Sequence, residues 1–516
     1  MATFNFTYAP GTTLQQMIGF EMAGRIWDAH LNDPITVNIH VGVSSSLPAN
    51  AIGGALPGMR SAQNYSDVVR SLGADRTSVE DWIAVPRLQT KSEYEAWFDA
   101  FDPKNGKNNG RKVKTKTLNI TRANAKALNL VSGSTELDGV IVFGALQGST
   151  FRWNYDYTRT SAAPTNTLDF LSTAMHEIGH ILGFVSGVDK PGWLSSVPAD
   201  KAASEEYKQS LERRISYTTP MDLFRYSTLG NGRNDLSYGT VGGRKFFSID
   251  GTMPLAEFAT GADQMLGGDG FQGSHWKNTT TRTGIMAPAL RPEERSWMTD
   301  TDLRALDVIG WDIRWRPTIN LSTLRSQAEA TLAQRIGVST TWLNQNLSLA
   351  EQRLVSDRAL DVERMIQNSQ VYPWATRSPG TPPPPPSRQV LDLMEQRVAY
   401  SSFGTLDDEV SPAPRPSSSG RRGSARSDWS SIAPIGRSAP RINPTSSSFD
   451  LSLFAPRTRE IAEMRRIAPA SLQNWFDQLG SSIRRSSNNF VRNTAQTSQD
   501  SGKFTDFSEI VNWTDL

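Results

Sequence analysis

The stretch Thr173-Ala174-Met175-His176-Glu177-Ile178-Gly179-His180-Ile181-Leu182-Gly183-Phe184 decides how the rest of the chain is read. Leu168, Leu171, Met175, Ile178 and Leu182 recur at helical spacing as one apolar stripe, and Gly183 is a C-terminal stop. In such a helix His176 and His180 project from one face, one turn apart. Two imidazoles so placed can share one Zn²⁺ at about 2.0–2.1 Å each, leaving room for a third protein ligand and a water. Glu177 lies beside the first ligand, where it can act as general base towards that water, whose pKa zinc lowers to ~7. The same carboxyl can return the proton to a leaving amine while the metal polarises the scissile carbonyl. The bland alternative is two His on the polar side of a core helix. In a chain with five His, a chance HExxH is an event on the order of one in a few hundred.

A third ligand is needed, and cysteine cannot supply it, because the chain has none. The extended pattern HExxHxxGxxH would place it at position 186, where Ser186 stands. Beyond His180 one imidazole remains, His275 in Gly273-Ser274-His275-Trp276, and Gly284-Ile285-Met286-Ala287-Pro288 follows it. A carboxylate from Glu293 or Glu294 is the competing donor.

HEIGHILGF, a distant SHW and a following MAP together resemble the metzincin clan of zinc peptidases, in particular the leishmanolysin-like family and its bacterial relatives. The resemblance implies that His176, His180 and His275 hold one catalytic Zn²⁺, that Glu177 is the base, and that Met286 is the Met-turn methionine beneath the site. It also implies that the chain turns away from the helix at Gly183. Asp222-Leu223-Phe224-Arg225-Tyr226-Ser227 and Leu303–Trp311 fit the same group. The likeness extends over roughly 1–315 in layout and is sharp at 176–184 and 274–288. Family members usually carry cysteines, one of them used for latency; their absence here excludes that switch. The implied activity is endopeptidase hydrolysis of a polypeptide substrate. The readings kept beside it are a zinc-bound protein that does not cleave peptides, and a tail-directed interaction or export protein carrying the protease.

Outward from that helix, the pattern predicts an α+β fold. Leu14, Ile18, Met22 and Ile26 predict a helix ending before Asn32-Asp33-Pro34. Ile35 to Val43 alternates as a strand with one buried face, and Val140–Phe143 reads as a strand covered on both sides. A closing helix runs over Asp300–Ile309, with Thr299 as N-cap and Gly310 after it. These elements divide into an N-terminal catalytic subdomain (1–183) and a C-terminal one (184–316) carrying the third ligand and the Met-turn. The expected whole is a zincin/metzincin-like domain followed by a largely disordered tail with short helices. A helical extension is expected over 317–375 from the spacing in Leu324–Met365. A disordered Pro/Ser/Arg-rich linker is expected over 376–450, and a short helical segment over 451–516 from Ile461–Ile483.

Other candidates read more plainly. His30 closes the first helix, where a cation suits the dipole. His40 falls on the polar face of its strand, as a surface or hydrogen-bonded side chain. Gly267-Gly268-Asp269-Gly270 reads as a mobile turn, since one Asp is a weak calcium signal. Arg421-Arg422 read as part of a solvated linker. Lys+Arg 54 against Asp+Glu 52 argues against a nucleic-acid partner for the whole chain. No apolar run is long enough for a membrane span, and residues 1–25 show no signal-peptide pattern, so a cytoplasmic location or leaderless secretion is expected. The tail's partner is unknown.

Overall fold

The computed structural model describes residues 1–189 and 217–369, apart from a few loop positions, and the short strand 402–405. It is a mixed α/β molecule built on one six-stranded sheet with several smaller sheets around it. The main sheet comprises β1 (Thr3–Tyr8), β2 (Thr36–Ser44), β3 (Ala51–Pro57), β4 (Gly139–Gly144), β5 (Ala289–Leu290) and β6 (Ser402–Thr405), in the order β1-β2-β4-β3-β6-β5. β1 and β4 run parallel to β2, pairing Phe6 with Ile39 and Ile141 with Val41. β3 runs against them, with Val140 opposite Leu56.

Two helices lie on this sheet. Helix α1 (Leu14–His30) opens on a capping box between Thr13 and Gln16 and ends before Asn32, as the sequence predicts. Helix α2 (Phe170–Leu182) carries the HExxH stretch. Phe20 of α1 and Phe170 of α2 meet edge-on at 5.6 Å, and both reach Phe143 of β4, at 5.8 and 5.0 Å. Trp27 of α1 donates Nε1–H to the Met175 carbonyl of α2 at 3.0 Å. An aromatic seam therefore fixes the height and rotation of α2 on the sheet before any metal is considered. Helix α3 (Asp300–Asp307) is capped by Thr299, as its sequence predicts.

The structure corrects two expectations, on β2 and on the segment 376–450, and gives detail to another, on Leu324–Met365. β2 is not a strand with one wet face, because Asn38 and His40 are buried along with Val37, Ile39 and Val41. Its polar face lies under a second, polar layer: the Asn38 N–H donates to Asp138 at 2.8 Å, Lys126 pairs with the same carboxylate at 2.5 Å, and His40 Nδ1 meets Thr7 Oγ1 at 2.9 Å. His40 is thus a hydrogen-bonded side chain rather than a surface one. Second, the stretch Leu324–Met365 is four short helices, α4 (Leu321–Arg335), α5 (Thr340–Gln345), α6 (Leu347–Leu354) and α7 (Ala359–Ser369). α4 and α6 pack on α1: Arg335 reaches Glu21 at 2.8 Å, and Glu351 accepts the Leu14 N–H at 2.7 Å. Leu332, Leu343 and Leu354 join the common core. Third, β6 falls inside the segment 376–450 expected to be wholly disordered. The rest of that linker, including Arg421-Arg422, and the helix expected over Ile461–Ile483 lie outside the described residues. Among the described residues no helix is long and apolar enough to cross a membrane.

Candidate metal centre

Helix α2 begins where it does because Asp169 caps it. One carboxylate oxygen accepts the Ser172 N–H at 2.9 Å, while the other is held by Arg159 at 3.0 Å and Arg295 at 2.9 Å. It ends at Gly183, whose φ of 124° suits glycine, and a Cβ there would meet Ile309 at 3.0 Å. Between these stops His176 and His180 face the same way, and both are fully buried.

Each ring is fixed by a backbone carbonyl at Nδ1. His176 Nδ1 lies 2.7 Å from the Ile285 carbonyl, and His180 Nδ1 lies 2.7 Å from that of Phe184. His275, in the loop after Phe271, approaches the Gln272 carbonyl at 3.1 Å. A carbonyl only accepts, so each Nδ1 carries the proton and each Nε2 presents a lone pair. Those lone pairs converge. The Nε2 atoms of His176 and His180 are 3.0 Å apart, and the His275 ring stacks on His176 with centroids 5.2 Å apart. One ligand atom from each of the three lies within 4.8 Å of the others, and all three residues are buried.

Three acceptors facing one another in a dry site repel unless a cation lies between them. A proton is a poor candidate. Burial holds His180 well below the usual imidazole range, helped by neighbouring His275, and lowers His275 to about 4. His275 Nε2 has no hydrogen-bond partner. The same is true of both oxygens of Glu177, and burial raises that carboxyl well above the usual carboxylate range. The donor set thus fits a bound metal ion, with His176, His180 and His275 as ligands and Glu177 alongside. Of the competing donors, Glu293 accepts the Asn166 N–H at 3.3 Å, and neither it nor Glu294 belongs to the metal-holding group. Ser186 is turned elsewhere as well, donating to Asp222 at 2.6 Å.

Met286 packs against α2 at Gly179, between the two helical His in sequence. A Cβ on Gly179 would meet its Sδ at 2.5 Å, so the helix needs glycine there to sit on the turn. The same turn supplies the Ile285 carbonyl that orients His176, and the Met286 carbonyl accepts the Trp276 N–H at 3.0 Å. On the other side, Gly53 of β3 brings bare backbone against the general-base candidate: a Cβ there would lie 2.8 Å from Glu177 Oε1.

Two buried carboxylates that the sequence reading did not single out hold this assembly together. Asp302 accepts from Trp276 Nε1 at 2.8 Å, Ile285 N at 2.9 Å, Met286 N at 3.2 Å and Thr299 N at 2.7 Å. It therefore ties the neighbour of His275, the turn under the site and the start of α3 to one point. Its only sequence signal is its place three residues after the cap Thr299. Asp222 accepts from Ser186 Oγ, Gly187 N and Thr219 N at 2.6, 2.8 and 2.8 Å, and Ser186 N donates to Ser274 Oγ at 2.8 Å, next to His275. Asp302→Ala would leave several buried donors unpaired at about 1–3 kcal/mol each. It is expected to lower stability by about 3 kcal/mol or more and metal affinity about tenfold or more. Thermal melts and metal titration of the variant check both; an unchanged metal affinity would show that the turn does not depend on Asp302.

The Gly267–Gly270 turn is stapled by Asp269, which accepts the N–H groups of Thr260 and Phe271 at 3.0 and 3.4 Å. His30 ends α1 with Nδ1 3.3 Å from the Arg314 carbonyl, away from the His cluster. No protein-family model, no curated protein and no solved structure matches the chain.

Proposed function

We propose that the chain is a zinc-dependent endopeptidase of metzincin type, related in its site to the leishmanolysin-like enzymes. One observation carries this reading: three buried imidazoles each bring a ring nitrogen within 4.8 Å of the others, and Glu177, next to the first of them in α2, has both buried carboxylate oxygens without a hydrogen-bond partner among the described residues. Three neutral His with an open fourth position are a ligand set used by catalytic zinc, whereas a structural zinc is normally closed by four protein ligands. Zinc bound there supplies Lewis acidity, polarising a carbonyl and lowering the pKa of water it binds to about 7.

The remaining work falls to the chain's own groups. Glu177 takes the proton from the attacking water and returns it to the amide nitrogen as the C–N bond breaks, so that a carboxylate and an amine leave. Its two oxygens are buried and have no hydrogen-bond partner among the described residues, so the carboxyl is not committed to another group. The three Nδ1 contacts hold the imidazoles in one orientation with no side-chain acid involved. Gly53 lets β3 approach Glu177 more closely than a side chain would allow.

The reading is tested by metal content and chelation together. Purified full-length protein is expected to bind one equivalent of zinc and to hydrolyse a generic protein such as casein. Chelator should stop the hydrolysis and added zinc restore it. Stoichiometric zinc without peptide release would leave the zinc-bound, non-peptidolytic reading instead.

A further inference from the structure

β3 has two edges. One is paired with β4; the other belongs to the same strand whose Gly53 lies against the general-base candidate, where a Cβ would come within 2.8 Å of Glu177 Oε1. An unpaired edge at a site that cuts polypeptides is where an extended substrate would add as a strand, held by its main chain. In this chain that edge is filled by residues far along the sequence. β6 runs antiparallel to β3, with Ser402 opposite Gly54, Phe403 opposite Gly53 and Gly404 opposite Ala51. On its other side it runs parallel to β5, with Gly404 beside Ala289 and Thr405 beside Leu290. It also packs against α2.

We propose that Ser402–Thr405 is a tethered occupant of the strand position that a polypeptide substrate needs, so that the chain covers its own metal centre against substrates in trans. The placement carries the argument. The residue opposite Phe403 is Gly53, where a Cβ would lie 2.8 Å from Glu177 Oε1. The strand on the other side, β5, begins three residues after Met286, which packs on α2 at Gly179. The segment therefore spans the site between the wall that bears on the general base and the wall that follows the supporting turn. Pairing through backbone groups on both sides requires no particular side chain, so an unrelated extended polypeptide would fit the same slot. An occupant on the same chain rebinds without the translational cost that a free substrate meets.

This inference rests on the endopeptidase reading, and its test separates the two. The full chain is compared with a full-length Phe403→Pro/Thr405→Pro variant. Proline cannot donate to a ladder and fixes φ, so the variant should not pair with β3. Gly404→Pro serves if the double variant is unstable. The expected result has three parts: zinc binding equal to the parent, faster hydrogen exchange at the β3 amides, and casein hydrolysis raised about tenfold or more. A synthetic peptide of residues 398–409 added to the variant should restore inhibition competitively. Equal hydrolysis by parent and variant, with zinc bound and β3 exposed, overturns the inference and leaves the peptidase standing. No hydrolysis by either under those conditions overturns the peptidase reading, and the inference with it. Unchanged exchange at β3 shows that β6 does not cover that edge. A cut between Ser402 and Thr405 on zinc loading, absent in Glu177→Ala, would make the segment a substrate and end its role as a standing inhibitor.

Discussion

His275→Ala is expected to lower zinc affinity by more than about 10²-fold and to abolish proteolysis. Losing a group that only orients a metal ligand typically costs about 10–100-fold in affinity, so losing the ligand itself costs more. The two helical His cannot compensate. Their Nδ1 atoms are committed to the Ile285 and Phe184 carbonyls, and among the described residues no carboxylate belongs to the cluster to replace the third donor. Glu293→Gln and Glu294→Gln should each keep both zinc and activity, since Glu293 serves the Asn166 N–H outside the cluster. Zinc titration of the three variants, with circular dichroism to confirm folding, decides the point. Normal zinc occupancy in His275→Ala would move the chain to the class that uses a carboxylate as third ligand.

That variant also tests the part of the site that sequence could only partly reach. His176, Glu177 and His180 were legible because one helix dictates their geometry: four residues make about one turn, and the apolar stripe fixes which side faces the core. His275 lies about a hundred residues away in a loop, and no local periodicity links it to α2. What brings it in is tertiary: Trp276 hydrogen-bonded to Asp302, and Ser274 hydrogen-bonded to Ser186. Buried acids such as Asp222 and Asp302 look like surface residues in a sequence, since nothing local says that a ring of backbone N–H groups awaits them.

The misses in the fold have similar causes. The polar residues of β2 suggested a wet face because the covering layer, built on Lys126 and Asp138, comes from a distant part of the chain. β3, with Gly53 and Gly54 inside it, lacks the β-branched alternation that marks a strand, and the need for Gly53 shows only once Glu177 is beside it. The breaks between α4 and α6 were signalled locally. Gly337 takes a φ of 68° after α4, and Ser339 caps α5 by accepting the Trp342 N–H at 3.1 Å. β6 lies in a Pro/Ser-rich stretch whose composition predicts no core, and its order here comes from two borrowed strand edges.

Glu177→Ala separates binding from chemistry. Among the described residues the Glu177 carboxylate is outside the metal-holding group and neither of its oxygens has a partner, so removing it deletes no ligand and breaks no hydrogen bond seen there. Zinc affinity is therefore expected to stay within a few-fold of the parent. Hydrolysis should fall by about 10²–10⁴-fold, the usual contribution of a positioned general base. The loss should appear in kcat rather than KM, because the extended substrate is held by the edge of β3 and not by the carboxylate. Glu177→Gln sharpens the test: it keeps the shape of the side chain but cannot take a proton, so it should be as slow as the alanine variant. Activity within threefold of the parent in either variant, with zinc confirmed bound, would remove Glu177 from the mechanism. The base would then have to be sought elsewhere, because the Nδ1 atoms of all three site imidazoles face backbone carbonyls.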